Sequence, residues 1–491
     1  MAEFIFDKEI FQRKFVQNNG EVIRNRAKSV VPGCDSICPN NTDSGNKYAG
    51  YKSRELLADT LHYLFEAVIN EKKAEKVDII CELEKQVDFE NENLVSVFKD
   101  IMTSFYFDEN KDSNGSSIAL LRYQPASSQK DFGKFVYDVL LDKETKDKFR
   151  QTLEEDTNLL DKIVNSAYES LNVLQNLSTA QEYSQVFRTE LGELLKIANI
   201  DFRKALDGHT DVLNHLEFLI AYYVFIYLSQ FALRLDNDLL GKKVDPEKVY
   251  PRFKAEKEAV SEDRDCVSQG WRKVDKKTRK LFKHMIVLNM LNCHTNDTPY
   301  YSYSDLYRIY ENNEDEREKI ENAIDYILDE YTVKHTHDTN VPGQNVDFTE
   351  VELKNSQDVV EQFRFKVQYL YDCVSHELES KGYRQNVVSY VAGNYNHVLK
   401  MRFVKSWGQL GNMMIISNED LILMIQICQM SSERMNPERG IQISDLFDEF
   451  KKRGLYMDGK TKQYVIDYLI SINLIDSKCD SEEAQYVKRI Q

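Results

Sequence analysis

Glycine and proline are scarce, with 18 Gly and 8 Pro in 491 residues. A sandwich or barrel needs many short alternating segments punctuated by these residues. Few such segments occur, so the shortage argues against a mainly β fold and predicts mostly helix. No G-x-x-x-x-G-K-[ST] loop and no G-x-S-x-G elbow is present, so neither a P-loop nucleotide hydrolase nor an α/β-hydrolase nucleophile is written in the chain. Nor does any segment read as a carboxylate–metal nuclease core with a following lysine. Positive charge is in deficit: 64 Lys and Arg stand against 81 Asp and Glu, a net charge of −17. That balance argues against nucleic-acid binding over the whole surface and confines any such contact to a local basic patch. The eight cysteines are scattered over the whole length, which predicts reduced, mostly buried thiols rather than a disulfide framework. Met1-Ala2-Glu3-Phe4 is not a basic region leading into an apolar run, so the expectation is a cytoplasmic protein.

Aromatic residues, by contrast, are plentiful (28 Tyr and 25 Phe), and the length suggests two to four structural units with ample core. The most apolar stretch runs from Leu216 to Leu235 and reads as one long helix, opened by Asp211 or Asn214 and ended before Gly241. Being apolar nearly all round, it needs a cover of protein or lipid. The unbroken apolar run extends only from Phe218 to Leu228 and carries Tyr222, Tyr223 and Tyr227. A membrane span needs about 20 apolar residues, so this is read as the central helix of a bundle. Further helices are expected over 4–28, 53–72 and 76–106, around 131–141, through 143–176, and over 184–206, 314–331 and 356–383. The polar stretch from Asp108 to Ser117 is the first candidate boundary. The resulting division is an N-terminal helical region (1–108), a central helical body (117–410) and a C-terminal domain (415–491).

The segment Trp271-Arg272-Lys273-Val274-Asp275-Lys276-Lys277-Thr278-Arg279-Lys280-Leu281-Phe282-Lys283-His284 carries seven basic residues against one Asp. On a helix, Val274, Leu281, Met285 and Leu288 face inward and the cations spread outside. Such a face can neutralise phosphates with release of counterions; the plainer reading is a solvated face balanced by acidic neighbours. Tyr300, Tyr301, Tyr303, Tyr307 and Tyr310 could stack on unpaired bases, although at their spacing packing is the stronger expectation. Cys34-x-x-x-Cys38, with Cys81 and His62, is half of a zinc pattern without its second pair. His335-x-His337-Asp338 has metal-ligand residues but no third anchor. Cys373 and His376 lie one helical turn apart without an orienting third group. No catalytic, cofactor-binding or metal-binding residue is assigned.

The tail is ordered as a module. Ser417-Asn418-Glu419-Asp420 is a capped, acidic helix start. Ile441-Gln442-Ile443 reads as a short strand, and a helix over 444–454 follows, with Gly454 as its stop. A third helix is expected over 460–472. Leu474-Ile475-Asp476 and Gln485-Tyr486-Val487 then bracket the polar turn Cys479-Asp480-Ser481-Glu482-Glu483. Three helices and a hairpin make the order of a winged helix-turn-helix. Lys460, Lys462 and Gln463 would lead the recognition helix, and Lys478, Lys488 and Arg489 would flank the wing. Residues 418–491 nevertheless hold ten Lys and Arg against thirteen Asp and Glu, a net of −3, so protein docking competes with DNA contact. The fold expected is therefore mainly α, a multi-helix bundle body with a C-terminal winged helix-turn-helix-like module.

Three stretches together resemble the DptG (DndG) family of DNA phosphorothioation-dependent restriction proteins. The first is Lys130-Asp131-Phe132-Gly133-Lys134-Phe135-Val136-Tyr137-Asp138-Val139-Leu140. The second spans 250–292 and holds Glu256-Lys257-Glu258-Ala259-Val260-Ser261-Glu262-Asp263-Arg264, Gly270-Trp271 and Leu281-Phe282-Lys283-His284. The third is Leu446-Phe447-Asp448-Glu449-Phe450-Lys451-Lys452-Arg453-Gly454, then Asn473-Leu474-Ile475-Asp476 and Ala484-Gln485-Tyr486-Val487. The match covers about the last three quarters of the chain, and its motifs are structural rather than catalytic. The resemblance implies a non-catalytic subunit of a bacterial restriction complex, acting with an ATPase-like and a helicase- or translocase-like partner on DNA lacking the sulfur modification. DNA contact is expected at Arg272, Lys273, Lys276, Lys277, Arg279 and Lys280, and at Lys460, Lys462, Gln463, Lys478, Lys488 and Arg489. Two alternatives stay open: a metal-dependent nuclease or hydrolase without a recognisable motif, and a protein-interaction scaffold that does not touch DNA.

Overall fold

The computed structural model describes residues 3–18, 21–22, 50–69, 76–106, 121, 131–155, 159–171, 174–176, 191–208, 211–242, 247–256, 261, 263–294, 300–335, 358–379, 395–475 and 485–490. It is mainly helical. The principal helices are α1 (Ser53–Leu64), α2 (Lys76–Lys85), α3 (Glu92–Tyr106), α4 (Asp131–Phe135), α5 (Lys143–Glu155), α6 (Leu159–Ser170), α7 (Gly192–Leu206) and α8 (Val212–Leu239). They continue as α9 (Trp271–Leu291), α10 (Tyr303–Asn312), α11 (Glu314–His335), α12 (Val359–Glu379), α13 (Asn418–Ser431), α14 (Ile443–Lys452) and α15 (Gly459–Ser471).

The body is organised around α8. Its side chains are buried on every face from Leu216 to Leu233 except Glu217. Helices α1, α7 and α9 lie along it, with α10, α12 and α13 completing the jacket. It is long and apolar enough to cross a membrane, but 94% of its most apolar window is buried inside the protein. Protein, not lipid, covers it. Each fully buried Leu, Ile or Phe contributes about 1.5–3 kcal/mol, and the tyrosine hydroxyls find partners. Tyr222 donates to the Arg453 carbonyl at 2.9 Å and Tyr223 to Asp201 Oδ2 at 2.5 Å. The helix stops where Gly241 turns left-handed at φ 63°. Across it, α4 packs tightly on α1, because a Cβ at Gly133 would lie 2.6 Å from the Asp59 carbonyl carbon.

The structure differs from the sequence reading in three places. Where residues 4–28 are described, the expected helix is replaced by Lys8–Phe11, a π-helical turn Gln12–Val16 and a short pair, Gln17–Asn18 with Glu21–Val22, and residues 23–28 lie outside the described residues. The helical reading of 143–176 ends early, because Leu174–Asn176 pairs antiparallel with Ala67–Ile69. In the tail, Tyr486–Val487 pairs with Ile441–Gln442 rather than with 474–476; among the described residues a bond from the Lys488 amide to the Leu474 carbonyl at 2.8 Å ties the two segments. The tail order is thus helix, strand, helix, helix, strand, with its first and last strands paired. Residues 476–484, which include the expected wing tip, lie outside the described residues.

A small sheet joins body to tail. Asn412–Ile416 runs parallel to Arg252–Phe253 on one side and antiparallel to Val404–Ser406 on the other. The boundary expected at 410–415 therefore falls within a sheet that both units share. The five tyrosines of 300–310 are all core residues, each at most 7% exposed. Tyr307 donates to the Leu239 carbonyl at 2.6 Å, and Tyr310 stacks on Phe363 with centroids 4.3 Å apart.

Candidate nucleic-acid interface

Helix α9 changes character along its length. From Leu281 to Leu291 every side chain is buried; before that, only Trp271, Val274 and Thr278 are. The cations expected to reach phosphate lie on this first half, and most meet carboxylates instead. Lys273 pairs with Glu247 at 2.6 Å and Arg279 with Asp275 at 3.2 Å. Lys277 and Lys280 both close on Asp236, the second at 2.8 Å. Arg272 and Lys276 are exposed and have no ion-pair partner among the described residues. The basic run is thus largely a balanced helix face, with an open positive patch at Arg272 and Lys276.

Asp236 holds this face together. Burial would raise its carboxyl, but hydrogen bonds with His284, Lys277 and Lys280 outweigh that and hold it far below the usual carboxylate range. His284 Nε2 lies 3.0 Å from Asp236 Oδ1, and its Nδ1 lies 3.2 Å from the Tyr303 hydroxyl. Burial keeps the imidazole below its ordinary range despite the neighbouring carboxylate. The Tyr303–His284–Asp236 chain resembles an acid–base relay in connectivity only. The imidazole is 1% exposed and lies against Tyr371 at 4.5 Å, so the relay serves to satisfy polar groups in the core.

In the tail, α15 is capped by Asp458, whose side chain accepts from the Thr461 amide at 2.8 Å. Arg264 clamps that cap with bonds of 2.8 and 3.0 Å, and the Thr461 hydroxyl donates to Glu256 at 2.8 Å. The start of α15 is therefore held on the 247–270 segment that also leads into α9. Gly270 allows this crossing, since a Cβ there would lie 2.3 Å from the Cys266 carbonyl oxygen. Lys460 and Gln463 are exposed, with Gln463 donating to Asp467 at 2.9 Å. Lys462 lies over the Phe447 ring at 5.3 Å. Lys488 and Arg489 are exposed just beyond the last strand. Lys478 lies outside the described residues.

The tail is fixed to the body by a buried ion network that sequence reading missed. Arg453 is 2% exposed and grips Asp201, itself 0% exposed, through two bonds of 2.7 Å. Its third nitrogen donates to Glu449 at 2.8 Å. Tyr223 and the Ser431 hydroxyl complete the Asp201 shell. Nothing local signals the pairing of Arg453 with Asp201, because Arg453 closes α14 and Asp201 sits on α7, 252 residues away in sequence. Also missed is a concentration of cations that no sequence run announces: Lys52, Arg54, Lys254, Arg402 and Lys405 line one cleft.

Of the metal candidates, Cys34, Cys38, His337 and Asp338 lie outside the described residues, as do the side chains of His335 and His376. Among the described residues, no three or more His, Cys, Asp or Glu gather as metal ligands. The chain matches no protein-family model, and no curated protein is significantly similar to it.

Proposed function

We propose that this chain is a non-catalytic, DNA-contacting adaptor of a phosphorothioation-dependent restriction complex, working beside ATPase-like and helicase- or translocase-like subunits. The family part of the proposal rests on the sequence resemblance. The observation that supports the DNA part is that the start of α15 is held on the same segment that carries the open end of α9. Arg264, Asp458 and Thr461 fix the exposed start of α15, with Lys460 and Gln463, on that segment. In this reading the tail does not swing on a linker; its geometry toward DNA is set by the body, and the partners supply the chemistry.

The test is DNA retention by the assembled complex co-purified from the native cell. Charge reversal at Arg272 and Lys276 should weaken retention and lower its salt slope by about 2, one per lost phosphate contact. Reversal at Lys273 and Lys277, already paired with acids, should matter less. Equal retention by wild type and the Arg272→Glu/Lys276→Glu variant would refute DNA contact through α9. Neutralisation of Lys273, Lys277, Arg279 and Lys280 within the protein favours a second reading, a scaffold that binds partner subunits only. In that case partners co-elute in fixed ratio and DNA is not retained at low salt. DNA cutting by the lone chain with Mg²⁺ or Mn²⁺ would replace both readings with a nuclease.

A further inference from the structure

The cleft noted above occupies about 650 Å³, within the roughly 300–1,000 Å³ range of small-ligand sites. It is assembled from distant parts of the chain. The first turns of α1 and α13 open into it, joined by Lys254 after the Arg252–Phe253 strand and by Arg402 and Lys405. Three of its four acids are already partnered, two of them by the cleft's own arginines. Glu55 accepts from the Lys52 amide at 3.3 Å. Asp420 takes Arg402 at 2.5 Å and the Ser417 hydroxyl at 2.7 Å. Glu217 faces Arg54 at 4.0 Å. Lys254 and Lys405 are exposed and have no ion-pair partner among the described residues. The N-cap of α1 is Lys52, a side chain with donors only, and Glu55 in the first turn accepts from the Lys52 amide. The positive end of α1 thus meets further positive charge, an arrangement that an anion relieves. Among the described residues that line the cleft there is no aromatic ring and Met401 is the one apolar side chain, so these residues offer a base or a greasy ligand nothing to stack on.

We propose that this cleft binds phosphate groups, through Lys254 and Lys405 beside the first turn of α1. The phosphate can come from a nucleic-acid backbone or from a free polyphosphate. This goes beyond the restriction-adaptor reading and does not depend on it, because it is tested on the isolated chain. Sodium tripolyphosphate is titrated by calorimetry, and a short labelled DNA duplex at low salt by fluorescence anisotropy. Wild type should bind tripolyphosphate saturably, and Lys254→Gln/Lys405→Gln should weaken it about tenfold, as expected for two lost charge contacts. If DNA binding falls in parallel and tripolyphosphate displaces the duplex, the backbone is the source. If only tripolyphosphate binding falls, the ligand is a free phosphate. The Arg272→Glu/Lys276→Glu variant, outside the cleft, should leave tripolyphosphate binding unchanged, so failure of the adaptor reading and failure of this one are separable. Glu419 is an exposed acid at the rim with no ion-pair partner among the described residues. Glu419→Gln should tighten tripolyphosphate binding a few-fold while slightly destabilising α13, opposite signs that a merely structural role does not give. If the double lysine variant fails to fold, Glu419→Gln decides alone. Absence of saturable tripolyphosphate binding by wild type, or affinity unchanged in the folded variants, overturns the proposal.

Discussion

Replacing Arg453 by Met tests how the tail is held. The guanidinium makes two bonds of 2.7 Å to Asp201 and one of 2.8 Å to Glu449, at a site 2% exposed. Methionine fills much of the volume but leaves two carboxylates without their cation. Removing one partner of a buried ion pair costs about 3–5 kcal/mol. Asp201 keeps the Tyr223 and Ser431 hydroxyls, and Glu449 keeps Lys452 at 2.7 Å, so the loss should sit near the lower bound, about 3 kcal/mol. Urea unfolding followed by circular dichroism reads the total. Hydrogen exchange over 418–475 reads whether the loss is local to the tail, as local opening predicts. Adding Asp201→Asn removes the stranded charge, so the double variant should recover part of the loss. A single variant within about 1 kcal/mol of wild type, with unchanged exchange in the tail, would refute the idea that this network fixes the module, since exposed pairs already account for that much.

Three further outcomes follow from the packing and the titrating groups. Gly133→Ala should cost about 1–3 kcal/mol in urea unfolding, the usual range for overpacking, because its Cβ meets the Asp59 backbone at 2.6 Å; an unchanged midpoint would show that α4 shifts freely. Burial pushes the Cys266 thiol up to about 11 and Cys428 up to about 12. At pH 8, alkylation mapped by mass spectrometry should therefore mark exposed Cys81 and spare both until the chain is unfolded; native labelling of Cys428 would contradict its burial. Stability should fall toward acid. His284, Asp236 and Asp458 all bind protons less readily folded than unfolded. The unfolded chain therefore takes up more protons as pH drops, and the folded state loses ground below about pH 6.5 at His284 and more steeply below about pH 4 at the carboxylates. Urea midpoints at pH 7, 5 and 4 give the test; a midpoint that rises on acidification would reverse the sign.

Where local chemistry dominates, the sequence reading was close. The last three helices, expected from Ser417, over 444–454 and over 460–472, form as Asn418–Ser431, Ile443–Lys452 and Gly459–Ser471. Their caps are short-range: Ser417 and Asp458 each accept from the amide three residues ahead, and Gly454 adopts φ 83° as a stop. The basic helix was legible as a helix but not as a charge surface. Whether Lys277 and Lys280 face solvent depends on Asp236, more than 40 residues away in sequence.

By itself, the sequence determined the helical class, the burial of the Leu216–Leu235 segment and the three helices of the tail, but not the partner of its last strand. Apolar periodicity, caps and glycine stops act within a turn or two of the chain, so they can be read in order. Only the tertiary structure decided that Tyr486–Val487 pairs with Ile441–Gln442, that Arg453 is matched to Asp201, and that Lys52, Lys254 and Lys405 share one cleft. Those outcomes depend on which distant groups meet as the core closes. An isolated Asp or Lys carries no local mark of its eventual partner, because the cost of burying its charge is settled only where the two meet.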